Sequence, residues 1–276
     1  MLAFPNCKIN LGLNITRKRE DGYHDIETVF YPILLKDIVE IVKDPTLKGT
    51  VHFTTTGLTI EGDPSNNLCV KAYNLLLKDF PQLSSVNMHL HKVIPMGAGL
   101  GGGSADGACA LQLLNNSFHL QLSTQQLIDY ALQLGSDCPF FVLNKPCFAT
   151  GRGEKMELIE LDLSNYHFVL VNPQIHISTG WAFSSIQPTV PEVSIKTIIQ
   201  DPIDTWKNRL VNDFEKAAIN NYPIIGAIKE ELVAKGAVYS SMTGSGSTVF
   251  GIFEKHIDAT FTFPKEWVIY KQREVN

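Results

Sequence analysis

Five of the seven residues from 97 to 103 are glycine, inside the stretch "PMGAGLGGGSADGA" (95–108). Glycine lacks a Cβ and tolerates positive φ, but it loses the most conformational entropy on folding. A cluster this dense therefore marks a place where backbone must come close to backbone or to a ligand. The residues before it, "VNMHLHKVI" (86–94), alternate: Val86, Met88 and Leu90 on one face, Asn87, His89 and His91 on the other, the period of a strand. The residues after it place Ala105, Ala108, Leu111 and Leu113 near helical spacing, with Ser104 as the candidate N-cap. The order is strand, glycine loop, helix start. Open N–H groups and the positive end of the helix dipole make such a helix start an anion site, and phosphate is the anion it suits.

Two familiar phosphate loops do not fit. Gly97, Gly99 and Gly102 satisfy G-x-G-x-x-G, but a dinucleotide site also needs an acidic residue about 20 positions on, and none stands before Asp129. The Walker A pattern ends in Gly-Lys-Ser/Thr, whereas Gly102 is followed by Gly103 and Ser104.

The remaining pattern, Pro-x-Gly-x-Gly-Leu-Gly-x-Gly-Ser, resembles the central motif of the GHMP kinases, the family of galactokinase and of homoserine, mevalonate and phosphomevalonate kinases. "CKINLGLNI" (7–15) and "SSMTGSGSTVFG" (240–251) are similar to that family's first and third motifs. All three occur in order across nearly the whole chain. Within the family, "KREDGYHDIETVF" (18–30), "GSDCPFF" (135–141) and "TGRGEKM" (150–156) resemble members whose acceptor carries a cytidine diphosphate. The resemblance implies an α+β protein of two domains, the N-terminal half like domain 2 of ribosomal protein S5 and the C-terminal half ferredoxin-like. It implies ATP-dependent, Mg²⁺-assisted phosphorylation of the 2-hydroxyl of a cytidine-diphosphate-linked methylerythritol, a step toward isoprenoid precursors outside the mevalonate route. The alternatives are a GHMP kinase for homoserine, mevalonate or a sugar, and a non-catalytic ligand-binding member.

Composition narrows the class further. At 276 residues the chain can bury two modest cores, and its net charge of −5 lacks the basic excess of a nucleic-acid binder. Five cysteines, at 7, 69, 109, 138 and 147, show neither an even count nor C-x-x-C spacing, which fits a reduced cytoplasmic chain without structural zinc. No apolar run reaches membrane-spanning length and "MLAFPNCKIN" carries no leader pattern, so no membrane partner is expected and a bacterial host is favoured.

Pattern predicts strands over 3–15, 26–42 and 50–55 and a helix over 67–79 capped by Asn66 or Asn67. A further helix opens with a capping box at Ser123 and Gln126 and stops at Gly135. A change to Pro, Gly and charge near 145–155 divides the chain into 1–150, the ATP-binding half, and 151–276, the acceptor half. The second half reads as strands 156–162 and 167–172, a helix from Thr179, helices 205–220 and 224–235, and strands 237–242, 248–254 and 267–272.

The resemblance assigns candidate roles. Pro95, Gly97, Gly99, Leu100, Gly101, Gly102, Gly103 and Ser104 would surround the nucleotide phosphates, with Ser104 the candidate protein contact for Mg²⁺. Asp106 suits the helix dipole but would repel phosphate, so it is expected to point away. Asp137 would accept or orient the hydroxyl proton; it reads equally as the N-cap of a helix starting near Pro139. Lys8 would favour the alkoxide, against the plainer reading of a solvated lysine at a strand edge. Asn10, two residues on and so on the same strand face, would bind substrate or phosphate. Lys92 would reach a phosphate or snorkel from its strand. In "DGYH", Tyr23 would stack on a cytosine and His24 read its edge. Phe183 would take the other side and Thr179 the polyol, though both aromatics also suit ordinary packing. Gly244 and Ser245 would bring the third loop to the substrate, with Ser247 a further donor. His89 and His91 lack a third metal ligand and read as a solvent-facing pair.

Overall fold

The computed structural model describes residues 1–272. In chain order the strands and helices are β1 (Leu2–Ala3), β2 (Asn6–Lys18), β3 (His24–Lys36), β4 (Ile38–Lys48), β5 (Val51–Gly57), α1 (Leu68–Asp79), β6 (Ser84–Lys92), α2 (Gly102–Phe118), α3 (Thr124–Leu134), α4 (Cys138–Leu143), β7 (Cys147–Thr150), β8 (Lys155–Leu158), β9 (Tyr166–Asn172), α5 (Thr179–Ser184), α6 (Ile195–Ile198), α7 (Asp213–Asn221), α8 (Pro223–Ala234), β10 (Tyr239–Met242), β11 (Val249–Glu254) and β12 (Val268–Gln272). The chain forms two compact units, each an α+β assembly. Among the described residues, one comprises 1–7, 34–96 and 101–145; the other comprises 8–33, 97–100 and 146–272. Compactness thus follows five crossings of the chain and not one cut.

In the first unit the strand order is β1-β4-β6-β5, with β4 antiparallel and β5 parallel to β6. Two parallel strands need a crossover, and α1 supplies it. Asn67 caps that helix by accepting from the Cys69 N–H at 2.9 Å, and Cys69, Ala72, Tyr73 and Leu76 face inward. They meet Met88 and Leu90 from β6 and Ala110, Leu111 and Leu114 from α2 in one apolar core. The capping box of α3 forms as its sequence requires: Gln126 N–H donates to Ser123 and Ser123 N–H to the Gln126 side chain.

In the second unit, strands in the order β10-β11-β9-β12 are all antiparallel. Val169, Val171, Val249 and Phe253 pack there with Phe214 and Ala218 of α7 and Ile225, Ile228 and Leu232 of α8. A second sheet, β2-β3-β7-β8, carries the first motif on β2.

Three element predictions are corrected. The single strand expected over 3–15 is interrupted at Phe4 and Pro5, which separate β1 from β2. The single strand expected over 26–42 is broken at Asp37, which separates β3 from β4. The helix expected over 205–220 begins only at Asp213, after a short 3-10 turn at Ile203–Thr205. Asn212 marks the true start, accepting from the Phe214 N–H.

Candidate active site

The three glycine-bearing motifs meet through polar contacts inside the second unit. On β2, Lys8 and Asn10 share a strand face, and the Lys8 ammonium donates to Asn10 Oδ1 at 2.6 Å. It also donates to the Gly99 carbonyl at 3.3 Å and lies 5.0 Å from the Phe30 ring centroid. The Thr243 hydroxyl donates to the same two acceptors, Asn10 Oδ1 and the Gly99 carbonyl, both at 3.2 Å. It accepts from the Asn10 N–H at 2.9 Å. Asn10 Nδ2 donates to Thr28 Oγ1 at 3.0 Å. Asn10 is 2% exposed, so this amide holds Lys8 and has little surface to offer a substrate. Thr243 and Thr28 are members of the cluster that the sequence did not single out. Thr243 lies within a motif already in view; Thr28 carried no local signal.

Gly99 is required here for two reasons. Its φ is +77°, a region that side chains avoid, and a Cβ would overlap the Thr243 carbonyl oxygen. The loop therefore closes on the third motif to a distance only glycine allows.

In the first unit, the helix after the loop starts three residues earlier than Ser104 suggested. Gly101 occupies the N-cap position with φ 69° and offers no side-chain cap, so Ser104 lies in the first turn. Early N–H groups of a helix have no intrahelical acceptor. Without a side-chain cap they remain suited to an anionic ligand. Burial is the main reason that the Cys138 thiol is pushed up to about 12, and a hydrogen bond with Ser104 partly counters it. This contact brings the second motif beside Asp137. Asp137 stands at the N-cap position of α4, yet its side chain does not cap the helix. The position the capping reading named is correct; the capping bond is not made.

Lys92 is corrected outright. Its side chain is 0% exposed, and its ammonium binds Asp37 Oδ2 at 2.5 Å and Asp106 Oδ2 at 2.7 Å. Burial lowers the pKa of a lysine, but these two carboxylates more than offset it and the net shift is upward. Such an ammonium neither snorkels nor reaches a phosphate. The Asp106 carboxylate is buried within the first unit against Lys92. Burial drives its carboxyl up to about 7, against Lys92 and with the help of Asp37, and its Oδ1 is buried without a hydrogen-bond partner.

A carboxyl whose folded pKa lies above its unfolded value favours the fold when protonated, so its contribution is full below about 4 and is lost as pH rises through about 7. Asp106→Asn is therefore expected to raise the melting temperature at pH 8 by about 2–4 °C, the response of a chain this size to about 1 kcal/mol, and to change it little at pH 5. Thermal melts at the two pH values check this; equal shifts at both would remove the explanation.

The "DGYH" turn lies in the second unit. Arg19 N–H donates to the Tyr23 carbonyl at 2.8 Å, and Asp21 Oδ1 accepts from the Tyr23 N–H at 3.1 Å. Tyr23 is 55% exposed, with the Arg152 guanidinium 4.7 Å from its ring centroid. Arg152 was inside a quoted motif, but nothing local announced its stacking. The His24 and Phe183 rings stack at 4.7 Å and 17°, and Phe183 rests edge-on against Phe214. Burial, then the Lys18 charge, lowers the His24 pKa, leaving a neutral imidazole at pH 7 that can both donate and accept. Thr179 Oγ1 lies 3.4 Å from Ser245 Oγ, so these two candidates are neighbours. Ser247 is instead buried and spends its hydroxyl on the Ile175 carbonyl at 2.7 Å. His89 and His91 bond to Thr54 and Thr56 on the neighbouring strand. Among the described residues no group of three His, Cys, Asp or Glu is arranged to hold a metal.

Comparison with known proteins gives the family. The model for the N-terminal domain of GHMP kinases matches residues 67–145, and that for the C-terminal domain matches 201–261. A 4-diphosphocytidyl-2-C-methyl-D-erythritol kinase of Bacteroides fragilis is 51% identical over 275 residues, covering 96% of this chain and 99% of the relative. One of the same name from Chlorobium limicola is 39% identical over 92% of this chain and 88% of its own. A crystal structure of 4-(cytidine 5'-diphospho)-2C-methyl-D-erythritol kinase superimposes with TM-score 0.78 at 30% identity, over 91% of this chain and 90% of that one. Homoserine kinase from Cytophaga hutchinsonii, at 14% identity and TM-score 0.65 over 97% of this chain and 94% of its own, shares the fold. With a family model on each half and such relatives along nearly its full length, the chain belongs to the GHMP kinases, in the 4-diphosphocytidyl-2-C-methyl-D-erythritol kinase family.

Proposed function

We propose that this protein transfers the γ-phosphoryl group of ATP to the 2-hydroxyl of 4-diphosphocytidyl-2-C-methyl-D-erythritol. The observation that carries the kinase reading is the convergence of Lys8, Asn10, Gly99 and Thr243, one cluster drawn from all three motifs. The uncapped start of α2 and the close approach of Gly99 suit a loop that surrounds phosphates with backbone N–H groups. Pro95, Gly97, Leu100 and Gly101 to Gly103 would shape that loop around the nucleotide. Ser104 would contact the Mg²⁺ that accompanies ATP; bound there, the ion would offset phosphate charge.

The remaining chemistry belongs to the chain's own residues. Asp137 accepts or orients the acceptor's hydroxyl proton. Lys8, aimed by Asn10, supplies positive charge that favours the alkoxide. Transfer in line to the hydroxyl needs no covalent enzyme intermediate. Tyr23 stacks on the cytosine, His24 reads its edge and Phe183 backs it. Thr179, Gly244 and Ser245 meet the polyol and its diphosphate. Nucleotide contacts are assigned to residues 1–150 and acceptor contacts to 151–276, with Tyr23 and His24 contributed from the earlier segment. The protein acts on small molecules, without nucleic acid or membrane, and five buried thiols suit the reducing cytoplasm of a bacterium.

The test is an acceptor panel. ADP release with Mg-ATP is measured for the cytidylyl compound, mevalonate and homoserine, in the wild type and in Tyr23→Ala/His24→Ala. We expect turnover with the cytidylyl compound alone, and a rise in its KM of about 10–100-fold in the variant from lost stacking and edge contacts. Turnover with another acceptor, undiminished in the variant, would return the "DGYH" turn to ordinary packing.

A further inference from the structure

One carboxylate behind the phosphate loop makes three short contacts. Asp37 is 0% exposed. Its Oδ1 accepts from two successive amides, Val93 N–H at 2.6 Å and Ile94 N–H at 2.8 Å, immediately before Pro95. Its Oδ2 accepts from the Lys92 ammonium, which continues to Asp106 in α2. Lys92 and Asp106 lie on opposite flanks of the loop, so a single ammonium joins its entry strand to its exit helix. The first residue of α2 rests on this arrangement: a Cβ on Gly102 would fall 3.0 Å from Lys92 Nζ and 2.7 Å from Ile94 Cγ2.

We propose that Asp37 is a positioning residue for nucleotide binding. By holding the Val93–Ile94 junction directly and the start of α2 through Lys92 and Asp106, it aims the loop amides before the nucleotide arrives. This rests on the nucleotide-binding reading of the loop. The three side chains are at most 3% exposed, so they act through the backbone and not by touching ligand. Two features support the assignment. Buried ion pairs often stabilise no better than apolar side chains of the same volume, so general stability is a weak reason for placing one here. Two successive amides turned onto one oxygen also end β6 at a defined point, which sets where the loop begins. A loop ordered beforehand binds without the cost of ordering it.

The chemistry dictates the test. Asp37→Asn keeps an oxygen for the two amides but turns an NH₂ group toward the ammonium, donor against donor. Lys92→Met, of similar length, keeps the Asp37–amide bonds and cuts the arm to α2. Asp37→Asn/Lys92→Met removes the donor conflict. Binding of the non-hydrolysable ATP analogue AMP-PNP with Mg²⁺ is measured by calorimetry. KM for each substrate, kcat and melting temperature are measured alongside.

Asp37→Asn is expected to weaken analogue binding by about 10-fold or more and Lys92→Met by about 3–10-fold, through lost preorganisation. KM for the cytidylyl acceptor should stay within about two-fold, and the double variant should bind the analogue more tightly than Asp37→Asn alone. Unchanged analogue affinity in folded Asp37→Asn and Lys92→Met overturns the proposal. So does a loss that falls equally on both substrates and follows melting temperature, which is the mark of a merely structural role. Failure of the wild type to bind AMP-PNP would instead overturn the nucleotide reading itself.

Discussion

Asp137→Asn is expected to lower kcat by about 10²–10⁴-fold, the usual worth of a positioned general base. Dissociation constants for nucleotide and acceptor should stay within about three-fold, because the substitution leaves size and polarity nearly unchanged. The structure makes this variant informative. Asp137 occupies the N-cap position of α4, where loss of a capping bond normally costs stability, but its side chain makes no such bond. Melting temperature measured alongside separates an activity loss that follows stability from one that reads as chemistry. Single-turnover kinetics with both substrates saturating separates the step from binding. Turnover near the wild-type rate would sink the assignment.

Gly99→Ala is expected to lower kcat/KM by about 100-fold, the scale of effect when a site is misplaced by about 1 Å. The new methyl would be driven into the Thr243 carbonyl from a positive φ, so the loop or the third motif must move. Either movement disturbs the acceptors that hold the Lys8 ammonium, since both the Gly99 carbonyl and Asn10 Oδ1 belong to that contact. Gly103→Ala is the internal control: the nearest side-chain atom to its added Cβ is Met96 Cε at 4.0 Å. Loss of nucleotide affinity in a stable Gly103→Ala would mean that a phosphate needs that space. Activity within about three-fold of wild type in Gly99→Ala would show that the close approach is dispensable.

Much of the candidate site was legible because its residues sit in dense local patterns. The loop announces itself by glycines that no packed strand or helix would carry, and Lys8 and Asn10 by a two-residue strand spacing. Tyr23 and His24 stand in a turn marked by Asp21-Gly22. The capping box of α3 needed only Ser123 and Gln126, three positions apart. What escaped depends on contacts between distant residues. Thr243 completes the Lys8 cluster from 233 positions beyond Asn10. Asp37 meets the amides of Val93 and Ile94 from 56 and 57 positions away. Its own segment, "ILLKDIVEIV" (33–42), carries Lys36 and Glu40 as well, so nothing local set Asp37 apart.

Local sequence by itself determined the order strand, glycine loop, helix, and with three ordered motifs the family, because those properties depend on backbone freedom and residue period within a short window. It also determined that α2 would start near the loop, though Gly101 with its left-handed backbone, and not Ser104, opens the helix. Only the tertiary structure decided what each charge does. Lys8 and Lys92 are both lysines on strands near the same loop, and both are buried. The first reaches the Asn10 side-chain oxygen and the Gly99 carbonyl. The second is enclosed by two carboxylates. A buried ammonium is tolerated only where opposite charge or hydrogen-bond acceptors reach it, and those partners come from segments that the chain brings together only on folding.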